Sequence, residues 1–575
     1  MKRDWGARWR LREGQLFLLL TIVVGVLAGL LAVLFALSID LAQHHLLGSA
    51  PGASRLILVP VAGSIVAGVL LAKVFGPDAR GSGVPQTKAA YHLRQGYIPG
   101  RVPIGKFLMG VLCIGSGHSL GREGPSVQIG AGLASAVGQW LRLPQERRQT
   151  LVPVGISAAL AAAFNTPVAA VLFTLEEVIS DMNAPLLGST VVASVAAVMV
   201  SRSILGNEPL FHVPEYQLAH PAELIGYCVL GIIGGLASVA FCKGLLATRR
   251  FFLNLPARTK MWQPAMGGLI IGFTLVVVPE VAGVGYAQVD AALNGGLLIQ
   301  TLAVLLIVKM GATIVSYASG NAGGIFAPTL FLGAMLGGLV GLATQMVAPF
   351  PVGEPGAYAL VGMGALFAGI IRAPMTSVFM IFELTQDYQI LVPLMVANLL
   401  SLFISRRFQP VPVYTALLHQ DHVFLPDPQL RKSAGGWRAG DVMTTEVHVV
   451  PSATSTEQAL ALAADDRTGW LLVGTRESLD GLVGREDLER TMGDGLGAQA
   501  IDASVRRDWI HVHPDHGMDV VLERYRRCPG VLPVMSRSND RYVEGVITAE
   551  TLARVFGQGV DREARPGGDA APASP

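Results

Sequence analysis

Residues 115–130 read Gly-Ser-Gly-His-Ser-Leu-Gly-Arg-Glu-Gly-Pro-Ser-Val-Gln-Ile-Gly and lie inside a long apolar region. This stretch places one carboxylate, Glu123, between Gly121 and Gly124. A charged side chain at membrane depth costs roughly 3 kcal/mol, so it is retained where it faces a wet cavity, a partner or a moving ion. A helix is predicted over 126–141, and the free N–H groups at its start attract anions. We therefore interpret Glu123 as a tethered anion at a position where a free anion also binds.

The composition of the whole chain is that of a membrane protein. Of its 575 residues, 51% are hydrophobic and 15% are charged, and the mean hydropathy is +0.50. These values predict a polytopic protein embedded in a lipid bilayer. The net charge is only +2, and no basic tract resembles a nucleic-acid arm, which argues against a nucleic-acid partner. Four cysteines without paired spacing predict neither a disulfide nor a metal site. Without a nucleophile–base pair or a phosphate loop, the sequence predicts no catalytic residues and no enzyme activity.

The apolar segments and their flanking charges predict the topology. The basic N-terminus and the pair Arg406 and Arg407, after the last apolar segment, place both chain ends in the cytoplasm. Several segments between 80 and 408 are too short to cross a hydrocarbon core of ~30 Å. Such segments predict broken helices whose backbone lines a cavity. The sequence has no targeting peptide, which favours a bacterial inner membrane.

An internal repeat divides the apolar region. Residues 165–176 (Asn-Thr-Pro-Val-Ala-Ala-Val-Leu-Phe-Thr-Leu-Glu) match residues 372–383 (Arg-Ala-Pro-Met-Thr-Ser-Val-Phe-Met-Ile-Phe-Glu), with the glutamate nine positions after the proline in both. A Gly-x-x-x-Pro element precedes each copy. The repeat predicts duplicated halves, 15–205 and 223–408, with a site between them. Because the repeat pairs Glu176 with Glu383, a structural role for both glutamates is favoured.

Several motifs in this order resemble a known family. They are Gly81-Ser-Gly-Val-Pro85, Gly121-Arg-Glu-Gly-Pro125, Gly324-Ile-Phe-Ala-Pro328 and the later Tyr414. In order and spacing they are similar to the signature elements of the CLC family of chloride channels and chloride/proton exchangers, and the resemblance covers about 14–418. It implies an α-helical membrane protein with an inverted repeat of broken and tilted helices. It also implies a homodimer through the membrane domain, with one pore in each subunit.

The resemblance also implies roles for individual residues. Hydroxyl groups of Ser82 and Tyr414 and backbone N–H groups of Ile325 and Phe326 are expected to bind chloride. Glu123 is expected to be the external gate, which competes with chloride when charged and leaves when protonated. The residues expected to support this site are Lys106, Gly121, Arg122, Gly124, Pro125, Gly324 and Pro328.

The carboxylate of Glu177 bears on whether the chain exchanges ions or conducts them. In exchangers of the family, a glutamate at the matching position is the inner proton acceptor, and channels commonly lack it. Its presence favours exchange of chloride for protons. Two alternatives stay open, namely a passive channel of the voltage-gated type on the same fold and a membrane sensor with a vestigial pore.

Each of these residues also has a simpler interpretation. Glu123 can be a helix-terminal carboxylate favoured by the dipole, and Ser82 can cap a helix. Tyr414 in isolation is typical of the membrane interface. His118 is either a proton relay or, as we favour, a polar residue on a short loop. Lys309 is either a charge of the ion path or a side chain that reaches the interface.

Beyond 425 the composition is that of a soluble α/β domain. Gly469-Trp-Leu-Leu-Val473 leads to a segment starting at Gly481, and Gly530-Val-Leu-Pro-Val534 leads to a similar one starting at Gly545. The two copies resemble a tandem pair of cystathionine-β-synthase (CBS) domains. We expect a cytoplasmic segment at 1–14, the membrane domain at 15–420, a linker at 421–436, the CBS pair at 437–556 and a disordered tail at 557–575.

The C-terminal copies bear on cofactor binding. In the CBS family, Thr-x-x-Asp contacts an adenine nucleotide. Neither copy in this chain has both residues of that motif. The first copy has Gly484 in place of the threonine and keeps Asp487, whereas the second keeps Thr548 and has Thr551 in place of the aspartate. We therefore predict no cofactor. The resemblance leaves open both an adenine nucleotide and a purely structural or dimer-stabilising role for the pair.

Overall fold

The computed structural model describes residues 13–48, 51–181, 184–207, 210–211, 213, 219–385, 388–425, 437–465, 469–493, 497–525, 527–528, 530–539 and 541–552. Most of the predicted N-terminal segment 1–14, the predicted linker from 426 onward and the predicted tail 557–575 lie outside these residues. The chain divides into two compact units, Met1–Leu425 and Pro426–Pro575.

The N-terminal unit is helical, because apolar segments at membrane depth must satisfy their backbone groups internally. Its helices are α1 Glu13–Leu46, α2 Ala53–Leu70, α3 Val84–Leu93, α4 Arg101–Gly115, α5 Glu123–Trp140, α6 Gln145–Phe164, α7 Pro167–Phe173, α8 Ala184–Leu205, α9 Leu224–Asn254, α10 Gln263–Val277, α11 Tyr286–Leu293, α12 Ile299–Ala318, α13 Phe326–Val347, α14 Pro355–Ile371, α15 Pro374–Thr385, α16 Leu391–Phe408 and α17 Val413–Gln420. The π-helical turns Leu71–Phe75 and Thr174–Ile179 extend α2 and α7. Short 3₁₀ turns are Pro77–Ala79, Pro221–Glu223, Ala257–Thr259 and Pro279–Val281.

Seven stretches within the described residues are long and apolar enough to cross a bilayer. They are Gly14–Leu46, Ala53–Phe75, Leu186–Leu205, Pro221–Asn254, Ile299–Ala318, Phe326–Val347 and Leu391–Gln420. Three further apolar helices, α10, α14 and α15, are shorter. The chain is therefore a multi-pass membrane protein in which short helices lie among longer ones.

The helix predicted at the central motif is present, with one correction to its start. The helix predicted over 126–141 begins earlier, at Glu123. A carboxylate is favourable in the first turn of a helix, and Pro125 has no N–H that the first turn would leave unpaired. Sequence reasoning missed the short helices α3, α11 and α17, because none of them has a long apolar run.

The two halves of the N-terminal unit repeat each other element by element. Helices α1–α8 correspond in order to α9–α16. At the centre, Gly121 and Gly324 exchange two backbone hydrogen bonds, of 2.8 and 2.7 Å. Reciprocal contacts of this kind are those that a two-fold axis generates.

Glycine contacts hold equivalent helices together in both halves. A Cβ on Gly130 of α5 would collide with the carbonyl of Gly155 of α6. In the second half, Gly333 of α13 packs in the same way on Gly362 of α14. Small residues let helix backbones approach closely, which is how helices associate where the lipid is as apolar as the protein. These contacts fix the two central helices, α5 and α13.

The glutamates of the repeat cap each other's helices. Glu383 accepts from the N–H groups of Val168 and Ala169, at 2.9 and 2.8 Å, at the start of α7. Glu176 accepts from the N–H groups of Met375 and Thr376, at 3.3 and 2.9 Å, at the start of α15. Both carboxylates therefore satisfy orphan helix donors of the opposite half, which is the structural role favoured from the repeat.

We expect loss of either cap to destabilise the N-terminal unit. Glu176→Gln and Glu383→Gln should each lower the apparent melting temperature of the detergent-solubilised protein, because hydrogen bonds to a charged acceptor contribute about 1.5–3 kcal/mol. Glu280→Gln, at an exposed position, is the matched control. Variants that melt with the control would contradict the capping role.

The C-terminal unit contains two copies of one small α/β pattern. Its helices are α18 Ala439–Val442, α19 Thr456–Asp465, α20 Arg485–Gly493 and α21 Met518–Tyr525, with a 3₁₀ turn at Ile501–Ser504. Its strands are β1 Val449–Val450, β2 Trp470–Gly474, β3 Leu479–Gly484, β4 Val531–Met535 and β5 Val543–Thr548. In each copy a helix precedes two antiparallel strands, β2 with β3 and β4 with β5. A parallel partner lies beside each pair, at β1 in the first copy and at Val512 in the second.

Candidate functional site

Two helix N-termini from opposite halves meet at the centre of the N-terminal unit. Helix α5 begins at Glu123 and α13 begins at Phe326, each two residues after its paired glycine, Gly121 or Gly324. The first N–H groups of a helix have no partner within it and lie at the positive end of its dipole. The centre therefore attracts an anion from two directions.

The carboxylate of Glu123 lies between these two helix starts. Glu123 has 0% of its surface exposed, and its Oε1 accepts a 2.6 Å hydrogen bond from the hydroxyl of Tyr286. Among the described residues its Oε2 makes no hydrogen bond of normal geometry, although the backbone N–H groups of Glu123 and Ala327 approach the carboxylate. The same oxygen lies beside Gly121. Ala327 and Pro328, in the first turn of α13, also pack against Gly121. The protein's own carboxylate thus occupies the position that favours an anion.

Two predicted chloride ligands are buried hydroxyls that lack ordinary partners. Ser82 and Tyr414 are both fully buried. Within the described part of the chain neither hydroxyl makes a hydrogen bond of normal geometry, although the two approach each other. Ser82 lies against Gly124 at the start of α5, and Tyr414 lies at the start of α17. An unpaired buried hydroxyl is costly, so the pair points to a ligand between them.

The residues predicted to donate backbone N–H groups to chloride lie at the start of α13. Ile325 precedes α13 and Phe326 is its first residue, and both are buried. The ring of Phe326 packs against Phe164, Phe173 and Phe367, at centroid distances of 4.9, 5.5 and 4.5 Å. Phe326 therefore also has a packing role, and this aromatic cluster fixes the start of α13.

Two buried lysines hold equivalent loops in the two halves. Lys106 donates to the carbonyls of Arg80 and Gly81, at 3.1 and 2.8 Å, just before Ser82. Lys309 donates to two carbonyls of a loop in the second half, those of Val281 and Gly283, at 3.0 and 2.8 Å. Lys309 is fully buried, so the interpretation that it reaches the membrane interface is wrong. An electrostatic contribution of Lys106 to the anion path stays a prediction.

The second predicted carboxylate, Glu177, forms a buried ion pair. Glu177 is 4% exposed, and its Oε1 lies 3.0 Å from Nζ of Lys88. Glu177 belongs to the π-helical turn after α7, whereas Lys88 belongs to α3, the helix that follows Ser82. The ion pair therefore places an ionisable carboxylate close to the helix that follows Ser82, a predicted chloride ligand.

His118 connects the two halves away from these groups. It is fully buried, with Nε2 2.7 Å from the hydroxyl of Ser64 and Nδ1 3.3 Å from that of Ser316. Both ring nitrogens bond to serine hydroxyls, as expected for the polar loop residue that we favour, and the role as a proton relay stays an open alternative.

Sequence reasoning missed two residues of the site, Tyr286 and Lys88. For Tyr286 a signal was present, because Gly283-Val284-Gly285 in the second half repeats Gly81-Ser82-Gly83 in the first. For Lys88 the only available signal was the need of a buried carboxylate for a cation.

The sequence profile of the family described as "Voltage gated chloride channel" matches residues 63–406, which is more than half of the chain. The chain belongs to the CLC family. The H(+)/Cl(-) exchange transporter ClcA of Vibrio campbellii is 32% identical over 416 residues, which cover 70% of this chain and 89% of that protein. This similarity agrees with the resemblance carried by the motifs.

Solved CLC structures have the same fold. A slow cyanobacterial Cl-/H+ antiporter superimposes with a TM-score of 0.64 at 29% identity, covering 70% of this CLC chain and 97% of that one. A eukaryotic CLC transporter superimposes with the same TM-score at 21% identity, covering 93% of this chain and 98% of that one. The second likeness concerns the fold alone.

Proposed function

We propose that this CLC protein exchanges chloride for protons across a membrane. The observation that carries the proposal is the fully buried Glu123 carboxylate at the meeting of two anion-attracting helix starts. A group in that position competes with chloride when charged. Protonation removes its charge and lets chloride replace it, so the movements of the two ions are linked.

The anion path is proposed to use weak donors in place of a fixed positive charge. Hydroxyls of Ser82 and Tyr414 and backbone N–H groups of Ile325 and Phe326 replace part of the hydration shell of chloride. Conduction needs binding that is loose enough for the ion to leave, and a set of neutral donors provides that. The roles of Arg122, Gly121, Gly124, Pro125, Gly324 and Pro328 are then to shape the two helix starts.

The proton path is proposed to run through Glu177. Its burial and its ion pair with Lys88 provide a titratable group on the side of Ser82 and α3. With Glu123 as outer proton acceptor and Glu177 as inner proton acceptor, a proton can cross the membrane by a route that differs in part from the anion path. The similarity to the exchange transporter from Vibrio and to the cyanobacterial antiporter supports exchange of chloride for protons, and the roles of the two glutamates are part of our proposal.

The second candidate is a passive chloride channel, which the description of the family profile favours. Proteoliposomes separate the two candidates. With high internal chloride, equal pH on both sides and valinomycin with equal potassium, chloride leaves down its gradient. We expect the external medium to become more alkaline as protons enter. Chloride efflux without a change of external pH would overturn the exchanger and establish the channel.

Removal of either chloride-binding hydroxyl should weaken chloride binding. Ser82→Ala and Tyr414→Phe should each raise the Kd for chloride about ten-fold, because a hydrogen bond to a charged acceptor contributes about 1.5–3 kcal/mol. Isothermal titration calorimetry in detergent measures this. Ser238→Ala is the matched control, since that buried hydroxyl bonds to Gly234 in its own helix. An unchanged Kd in both test variants would contradict the assignment.

The C-terminal unit is proposed to be the CBS pair at 437–556. Its duplicated helix–strand–strand pattern supports this, and the likeness to the eukaryotic CLC transporter extends beyond the N-terminal unit. We propose a structural or dimer-stabilising role without a nucleotide cofactor. In support, Asp487 pairs with Arg506 at 2.8 Å, and Thr548 and Thr551 hydrogen-bond to each other's backbone.

The family supports the proposed assembly, and the charges that flank the apolar segments support the proposed topology. We propose a homodimer through the membrane domain in a bacterial inner membrane, with both termini in the cytoplasm and no enzyme activity or metal cofactor. The domain limits are proposed as predicted from the sequence.

A further inference from the structure

We propose that Tyr286 is a latch that holds Glu123 in the anion path until Glu123 is protonated. The inference rests on the proposed gating role of Glu123 and adds a positioning residue to it. Tyr286 is the first residue of α11, in the second half of the repeat. Its hydroxyl donates to Oε1 of Glu123 at 2.6 Å, a short distance typical of a charge-assisted hydrogen bond.

The ring of Tyr286 is held on two sides. The guanidinium carbon of Arg122 lies 5.4 Å from the ring centroid, and Phe211 packs edge-on at 5.5 Å. Arg122 directly precedes Glu123, so the gate and its neighbour both contact the same tyrosine. The ring therefore has a defined position from which its hydroxyl reaches the carboxylate.

The loop before Tyr286 is fixed as well. Gly283 and Gly285 have φ angles of 57° and 84°, which favour glycine, and Lys309 holds the carbonyls of Val281 and Gly283. A side chain at Gly285 would also collide with Phe331, at 2.8 Å. Because this loop is packed, Tyr286 cannot follow Glu123 when the carboxylate leaves. Opening of the gate must therefore break the hydrogen bond.

The strength of the latch depends on the charge of Glu123. A hydrogen bond to a carboxylate is roughly twice as strong as one to a neutral acceptor. Protonation therefore weakens the latch at the moment when the gate has to open, and an unprotonated gate is kept closed. Other titratable or charged groups facing Glu123 or its neighbour include Arg122, Tyr414 on α17 and Asp40 on α1.

The repeat shows that the latch belongs to one half only. The residue equivalent to Tyr286 in the first half is Val84, which follows Gly81-Ser82-Gly83 and has no hydroxyl. In the first half the loop instead provides the hydroxyl of Ser82. The two equivalent loops thus offer different groups, one for the anion and one for the gate.

The test is the pH dependence of chloride flux from proteoliposomes containing the full chain. We expect wild-type flux to fall as pH rises, because the ionised gate blocks the path. In Tyr286→Phe the carboxylate loses a donor that favours its charged form, so protonation becomes easier. The pH of half-maximal flux should move up by about one unit, which is a ten-fold change in proton affinity. The number of protons moved per chloride should fall, since an unlatched gate also opens without a proton.

Two further variants make the result specific. Tyr227→Phe removes another buried hydroxyl that donates to a glutamate, Glu223, at 3.4 Å, and should leave the profile unchanged. In a Glu123→Gln background, Tyr286→Phe should leave the chloride flux unchanged at every pH, because glutamine carries no charge for the hydrogen bond to stabilise. A wild-type profile in Tyr286→Phe, or an equal effect of the substitution in both backgrounds, would overturn the latch. If Glu123→Gln itself keeps the pH dependence, the proposed gate fails, and that outcome is distinct from failure of the latch.

Discussion

Glu123→Gln should abolish proton transport while chloride continues to cross the membrane. Glutamine has nearly the shape of the protonated glutamate but cannot bind or release the proton. We expect chloride-driven proton movement to fall by about 100-fold or more, because a positioned proton-transfer group contributes at least that factor. Chloride flux should persist and lose its pH dependence, because the neutral side chain no longer competes with the anion.

The measurement is external pH and external chloride recorded together in the same proteoliposomes. Glu280→Gln, at an exposed position, controls for loss of a carboxylate elsewhere and should behave as wild type. Persistent proton movement in Glu123→Gln would show that the carboxylate between the two helix starts is not the gate.

Glu177→Gln is expected to stop proton transport at the inner end of the proton path. The amide cannot accept a proton, so chloride-driven proton movement should again fall by about 100-fold, and chloride flux should remain. The two carboxylates are distinguished by the pH dependence of chloride flux. It should persist in Glu177→Gln, because Glu123 is intact in that variant.

The ion pair with Lys88 complicates the single substitution. Removing one partner of a buried pair leaves an uncompensated charge, which typically destabilises a protein by about 3–5 kcal/mol. The double variant Glu177→Gln with Lys88→Met removes both charges and should be more stable than Glu177→Gln alone. Both variants should lack proton transport. Proton movement at the wild-type rate in the stable double variant would contradict the role of Glu177.

The sequence was sufficient for much of the fold because its signals are local or repeated. Long apolar runs predicted most helices of the N-terminal unit, and the repeated glutamates predicted the duplication. The reciprocal capping by Glu176 and Glu383 then followed from geometry that only the fold provides. The helix α5 begins at Glu123 and not at the predicted residue 126, because Gly124 and Pro125 are poor helix formers and do not by themselves show which residue opens the helix.

The candidate site was predictable where family motifs marked it, as at Ser82 and Tyr414. Tyr286 and Lys88 were not found, because each acts on a carboxylate that is distant in the sequence. Contacts between distant residues depend on the packing of the two halves, which no local pattern specifies. The repeated glycine loop marks the position of Tyr286 in the sequence, but not its contact with Glu123.

The most direct test of coupled transport is the reversal potential of chloride flux as a function of the pH gradient. Potassium gradients with valinomycin set the voltage across proteoliposomes that hold a fixed chloride gradient. If chloride is exchanged for protons, the voltage at which net chloride flux is zero shifts as the pH gradient is changed. A reversal potential that stays at the chloride equilibrium potential at every pH gradient would contradict exchange and identify passive conduction.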